Sequence, residues 1–242
     1  MSVLNGECIQ NKVSTRINKY ICESGLYSRK ASDRLIARGQ VLINGRVAKL
    51  GEKVTPIDKV VVNGDRIRPL NRNELVCLAL YKPVGVVCTA SIHEKRNIVD
   101  FVGYERRIFP VGRLDRESEG LILLTNHSAL VDHILNAAYR HDKEYLVTVN
   151  RKITRQFLSG MSTAVPMLGV VTDACKVVWK TQHTFSITLR QGLNRQIRRM
   201  CQHYHYSVVK LVRVRIMHIS AAGLSSGQWR ALSNEEMSGF DA

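Results

Sequence analysis

The stretch from Gly112 to Gly120, GRLDRESEG, sets Asp115 between Arg113 and Arg116, with Glu117 and Glu119 close behind. A carboxylate beside fixed cations is held ionised. In that state it serves as a nucleophile or a base, and not as a general acid at neutral pH. The plain alternative is an aspartate that caps a turn or pairs with Arg113. Glu117 and Glu119 raise the two-carboxylate chemistry of a glycosidase, but that chemistry gives no reason for a basic chain. A metal nuclease needs several carboxylates converging on Mg²⁺, and the arginine-rich C-terminal half offers too few. The chain has no P-loop, no G-x-G-x-x-G and no G-x-S-x-G. Nucleotide hydrolysis, dinucleotide chemistry and serine-triad acyl transfer therefore lack support.

The basicity is marked. Across 242 residues, 36 Lys+Arg face 20 Asp+Glu, a formal charge of +16. Such a surface attracts a polyanion. No acidic residue lies between Asp173 and Glu235, while ten basic ones do. With 45% hydrophobic and 23% charged residues the chain can build an ordinary core. No apolar run approaches the ~18 residues of a membrane span, and MSVLNGECIQNK is not a signal peptide. The six cysteines are scattered without a C-x-x-C pair, as in reduced cytosolic thiols, and CQHYH at Cys201 to His205 fits no common zinc spacing. No metal is expected, and nucleic acid is the leading partner.

The elements that must position Asp115 come next. Apolar runs RIFPV and LILLTN flank its loop and read as buried segments. Residues 1–13 look like a flexible tail. Ile17, Tyr20 and Ile21 then fall at helical spacing, with Gly25 as a stop. Ser28 is the expected N-cap of a second helix, with Ala31 and Leu35 on one face and Lys30, Arg34 and Arg38 as a basic stripe. Gly39 ends it, and QVLINGRVA reads as a hairpin about Asn44-Gly45, echoed at Asn63-Gly64. From Met1 to Leu70, 13 basic residues face 6 acidic ones. The order helix, helix, hairpin in INKYICESGLYSRKASDRLIARGQVLINGRVA resembles the S-four type of RNA-binding module (αL-type), named for a small-subunit ribosomal protein. That resemblance implies that Arg29, Lys30 and Arg34 face RNA phosphates.

The expected domains are the tail at 1–13, the S-four-like module at 14–66, a polar linker at 67–74 and a second domain at 75–242. In the latter, LVCLALYKPVGVVC is apolar on both faces and reads as a buried strand ending at Pro83-Val84-Gly85. HILN closes a short helix with Val131, Ile134 and Leu135 on one face. KEYLVTV, TFSITL and VKLVRVRIMHI read as strands, and in the last Arg213 and Arg215 lie opposite Val212, Val214 and Ile216. RQIRRMCQHY reads as a helix with Asn194 as N-cap and Ile197, Met200, Cys201 and Tyr204 inward. The expected fold class is α+β, a mixed and mostly antiparallel sheet with helices on one side.

YKPVG, VGRLDRESEGLILLTN, KEYLV and GLNRQIRRM together resemble the successive motifs of the RNA pseudouridine synthases, in the branch with an N-terminal S-four-like module. The resemblance runs from about Arg16 to Leu232. It implies Asp115 as catalytic nucleophile, Tyr145 stacking on the target base and shaping proton transfer, and Arg198 pairing with Asp115 to keep it ionised and aimed. It places Arg113 on the phosphate of the flipped nucleotide, adds Arg195 and Arg199 as RNA contacts, and makes Lys82 and Pro83 structural. The implied reaction isomerises uridine to pseudouridine in 23S large-subunit ribosomal RNA, with tRNA for tyrosine as a second candidate, in a cytoplasmic monomer. That reaction breaks an N-glycosidic bond, turns the base and rejoins it through carbon. It has no net redox change or hydrolysis, so no cofactor is expected. The carboxylate can attack the anomeric carbon, attack the base, or take a ribose proton to give a glycal, and all three routes stay open. The competing reading is a non-catalytic RNA-binding or ribosome-assembly factor that kept the fold. Some members carry a basic C-terminal tail; the sequence stops at Ala242, so no function resting on that tail is expected.

Overall fold

Ile17, Tyr20 and Ile21 are all buried in the computed structural model, which describes residues 14–240. The tail read at 1–13, with Cys8, lies outside the described residues. The chain divides between Leu75 and Val76 into two units, and each has its own core.

In the first unit, β1 (Thr15–Arg16) leads into α1 (Ile17–Cys22) and α2 (Arg29–Ala37). Then follow β2 (Val41–Ile43), β3 (Arg46–Val47), β4 (Lys53–Val54), β5 (Val60–Val62) and β6 (Asp65–Ile67). Ser28 caps α2, its hydroxyl accepting from Ala31 N at 3.1 Å. The buried face of α2 is Ser32 and Ile36, one residue on from the expected Ala31 and Leu35. Strands β3-β2-β5-β6 form one antiparallel sheet. Asn44-Gly45 and Asn63-Gly64 both have positive φ at the two turn positions, the condition for a tight hairpin turn. Ile67, read as the first linker residue, instead ends β6 and is buried with Val60 and Val62.

The second unit begins with β7 (Cys77–Lys82), α3 (Ile98–Val102), β8 (Phe109–Val111), β9 (Glu119–Thr125), α4 (Ser128–Leu135) and β10 (Lys143–Val149). It continues with α5 (Arg155–Ser162), β11 (Pro166–Met167), β12 (Val170–Val171), β13 (Lys176–Trp179), β14 (Thr184–Leu189) and α6 (Gln196–His203). The last elements are β15 (Val208–Ile216), β16 (Ile219–Ser220), β17 (Trp229–Ala231) and α7 (Asn234–Ser238). Nine strands form one sheet with the path β13-β14-β10-β15-β9-β7-β17. Among the described residues its only parallel ladder is β9 with β15.

Helices cover both faces of this sheet, not one. Cys77, Ala79, Leu121 and Leu123 pack with Leu130 and Ile134 of α4. Their alternating neighbours Leu78, Leu80, Ile122 and Leu124 pack with Ile98 and Val102 of α3. A strand apolar on both faces requires cover on both. On α4, Leu135 turns outward while Ile134 is buried.

One edge of β9 changes partner along its length. Its first residues, Glu119 and Gly120, pair with Val212 and Arg213 of β15. Further along, Leu123, Leu124 and Thr125 pair with β8. The loop 112–118 joins β8 to β9 across this fork.

Candidate active site

Asp115 sits in that fork loop, and the backbone on either side of it is tied down. Leu114 is buried, and its N–H donates to Cys88 Sγ at 3.3 Å. The Arg116 carbonyl accepts from Gly85 N at 2.8 Å, and the Asp115 carbonyl accepts from Ser118 N at 3.0 Å. Gly112 and Gly120 carry φ of +75° and +101°. Gly120 is required on space as well, since a Cβ there would stand 2.3 Å from the Arg213 carbonyl oxygen.

The cations nearest the Asp115 carboxylate are not its sequence neighbours. Arg195 Nη1 lies 3.7 Å and Arg198 Nε 4.0 Å from Asp115 Oδ2. These are charge contacts beyond hydrogen-bond reach. Arg198 is held from two other sides, with Nη2 donating to Ser118 Oγ and Nη1 to the Val208 carbonyl, both at 3.3 Å. Its Nε is buried and has no hydrogen-bond partner. The clamp therefore aims an unsatisfied N–H toward Asp115. Arg195, expected inside the helix stretch, is instead the N-cap of α6 in a left-handed conformation, with φ of +49°. It displaces Asn194 from that role. Its Nη1 donates to Glu117 Oε2 at 2.9 Å, and this bond holds the Glu117 carboxyl below its ordinary pKa.

Tyr145 enters from β10. Opposite β15 the register slips between Glu144 and Tyr145, so Tyr145 faces Arg213 and Val214 is skipped. Such a bulge re-aims side chains. Tyr145 packs against the cores on either side of the site. A cavity of about 120 Å³ is lined by Arg113, Asp115, Tyr145, Arg195, Arg198 and Leu211, among others. That is far below the ~300 Å³ of the smaller drug-sized pockets; it has room for one flat ring.

Five of the expected residues thus meet in one cleft: Asp115, Tyr145, Arg198, Arg113 and Arg195. Arg199 does not line it. It folds back on Asn194, donating from Nε to the carbonyl at 3.1 Å and from Nη2 to Oδ1 at 3.2 Å. Arg29, Lys30 and Arg34 stand exposed on α2 of the first unit. Lys82 is fully buried, donating to the Pro83 and Val86 carbonyls at 2.8 and 2.9 Å. Burial lowers its pKa.

Several residues were missed in the sequence. Ser118 is buried beneath Arg198. Arg213 was read only as opposite the apolar face. It is in fact 3% exposed, with Nε donating to the Leu121 carbonyl at 2.7 Å. Glu117 and Glu119 each hold a cation. Glu117 holds Arg195, and Glu119 begins β9 and pairs with Lys210 at 2.8 Å. No spacing signal marks Ser118, and the helical spacing of the expected Arg195, Arg198 and Arg199 cannot say which of them turns inward.

Comparison with known proteins identifies the family of both units. The family model described as RNA pseudouridylate synthase matches residues 76–203, and that of the S4 domain matches 15–60. The chain is 54% identical over 224 residues to the dual-specificity RNA pseudouridine synthase RluF of Escherichia coli K12, covering 93% of this chain and 77% of that protein. It is 32% identical over 231 residues to the ribosomal large subunit pseudouridine synthase B of Bacillus subtilis, covering 92% and 93%. A solved pseudouridylate synthase shares the fold, with a TM-score of 0.69 at 24% identity over 93% of this chain and 99% of that one.

Proposed function

The chain belongs to the RNA pseudouridine synthase family, and from that premise we propose that it isomerises a specific uridine of 23S large-subunit ribosomal RNA, with Asp115 as nucleophile. The observation that carries the reading is the Asp115 carboxylate within about 4 Å of two guanidinium groups, in a ring-sized cleft walled by Tyr145. The relatives named for the large ribosomal subunit and for dual specificity support the RNA class. tRNA for tyrosine is the second candidate target.

In this reading the uridine leaves its stack, at a cost of a few kcal/mol, and enters between Tyr145 and Asp115. Stacking on the tyrosine ring offsets part of that cost. Arg113, exposed at the cleft mouth, takes the phosphate. Arg198 faces the Asp115 carboxylate; its orphan Nε–H needs only a small approach to become a charge-assisted hydrogen bond as the cleft fills. The N1–C1′ bond breaks, the uracil turns in place and C5 bonds to C1′; C5 gives up its proton, N1 takes one up, and Asp115 is released unchanged. Arg195 and the exposed Arg29, Lys30 and Arg34 extend the phosphate contacts. In this reading the acting form is a monomer in the cytoplasm; sedimentation of the purified protein tests the monomer, and cell fractionation tests the compartment.

The test uses 23S transcripts tritiated at uridine C5. The wild-type protein releases tritium, while Asp115→Asn releases none and binds the transcript as the wild type does. Tritium release by Asp115→Asn would remove Asp115 from the role of nucleophile. Mapping pseudouridines in ribosomal RNA of a deletion strain then identifies the target.

A further inference from the structure

A second cavity, of about 670 Å³, lies along β13, β14 and β10 and reaches the active-site cleft at Leu189 and Gln191, which line both. Gln191 is shared by their walls. Its Oε1 accepts from Asp173 N at 3.0 Å on the trough side and from Gln196 Nε2 at 3.3 Å on the first turn of α6. The trough holds three carboxylates, and each is matched by an arginine. Asp173 pairs with Arg140, Asp142 with Arg190 at 2.9 Å and Glu144 with Arg215 at 3.1 Å. Lys176 and Lys180 are left over. Both line the trough, both are exposed, and neither has a carboxylate partner among the described residues. Lys176 and Val178 share the trough-facing side of β13, as alternation along a strand requires, and Lys180 follows directly after its last residue.

We propose that this trough is a second RNA subsite, taking phosphates of single-stranded RNA that flanks the nucleotide held in the Asp115 cleft. The proposal rests on the pseudouridine synthase reading of that cleft. Three features favour a polyanion: the local charge is positive once the matched pairs are set aside, the surplus lies on two free ammonium groups, and the trough adjoins the cleft at Leu189 and Gln191. Lysines on an edge strand also discourage pairing with other strands. That role alone predicts no effect on RNA.

The experiment compares the wild type with Lys176→Gln/Lys180→Gln and with the charge reversal Lys176→Glu/Lys180→Glu. Both residues are exposed, one on the edge strand β13 and one just past its end. The probe is a 23S transcript, and its affinity is measured from about 50 to 200 mM salt. Each single-strand phosphate contact contributes about 0.7 to the slope of log affinity on log salt. Two lost contacts lower that slope by about 1.4 in the glutamine variant, roughly a sevenfold smaller change over this range, and the reversal weakens binding further. Equal affinity and slope in all three proteins, whether all bind or none does, would overturn the trough. Tritium release by the wild type is read in parallel on the same transcript. Its absence with a normal loss of slope counts against the pseudouridine reading and not the trough.

Discussion

Asp115 and Arg198 show how a single charge can be kept reactive without being fully neutralised. Arg198 spends two guanidinium nitrogens on Ser118 and Val208 and leaves the third facing the carboxylate at 4.0 Å. A lysine would keep the charge but lose this fork, because it offers one point of attachment. Arg198→Lys is therefore expected to lower kcat about 100-fold, the scale of losing one well-placed donor, with KM for the transcript nearly unchanged. Single-turnover tritium release would show it, and a fall in KM-dependent rate alone would count against the positioning role. Asp115 was legible in the sequence because it stands among charges between two apolar runs. Its partners were not legible from spacing: the adjacent Arg113 and Arg116 were the obvious cations, Arg198 was expected only through the family resemblance, and the two that reach it are 80 and 83 residues further along, on α6 and its cap. Ser118 was invisible for a simpler reason: a serine beside a charged loop carries no periodic signal of burial.

The elements that fix the loop place their own demands on sequence. At the fork of β9, Gly120 lets β15 approach to a distance that no side chain allows. Gly120→Ala combines that clash with a positive φ and is expected to cost roughly 3 kcal/mol. Urea unfolding would measure it, and a stable alanine variant would show that the β9–β15 ladder tolerates separation. At the other edge, Arg230 of β17 holds Glu236 of α7 in a two-pronged pair, both bonds at 2.7 Å, within the Ser233–Glu236 capping box. The Arg230 hydrogen bond brings the Glu236 pKa down to about 2. A carboxyl depressed in the folded state stabilises above its unfolded value, and that contribution is lost as pH falls through the folded one. The pair is partly exposed, so solvent limits it to about 1 kcal/mol. Arg230→Ala should be less stable than wild type at pH 7, with the gap closing between about pH 4.5 and 2. Strand and helix positions in this domain followed from alternation and spacing, as in β7, β10 and α6. The two-sided helical cover did not, because a short helix such as α3, five residues long, leaves too little periodicity to place. The left-handed cap at Arg195 was equally hidden, since Asn194 is the residue type that usually caps.

For the whole molecule, the division at Leu75 and Val76 gives two cores with different reporters. Both tryptophans, Trp179 and Trp229, lie in the second unit. Tryptophan fluorescence therefore follows that unit alone, while far-ultraviolet dichroism follows both. The two urea transitions are expected not to superimpose, the signature of departure from two-state unfolding; coincident curves would mean that the units unfold as one. The thiols of the same unit lead to something else. Cys77 on β7 and Cys201 on α6 are buried, and burial pushes both pKa values up to about 12. At neutral pH almost none of either exists as the thiolate that alkylating reagents and oxidants attack. Each can be modified only as fast as the fold around it opens. The two cysteines thus act as clocks wound into separate parts of the domain, one on β7 against α4 and one on the buried face of the helix that carries Arg198. Their rates of trapping would time how often each part breathes.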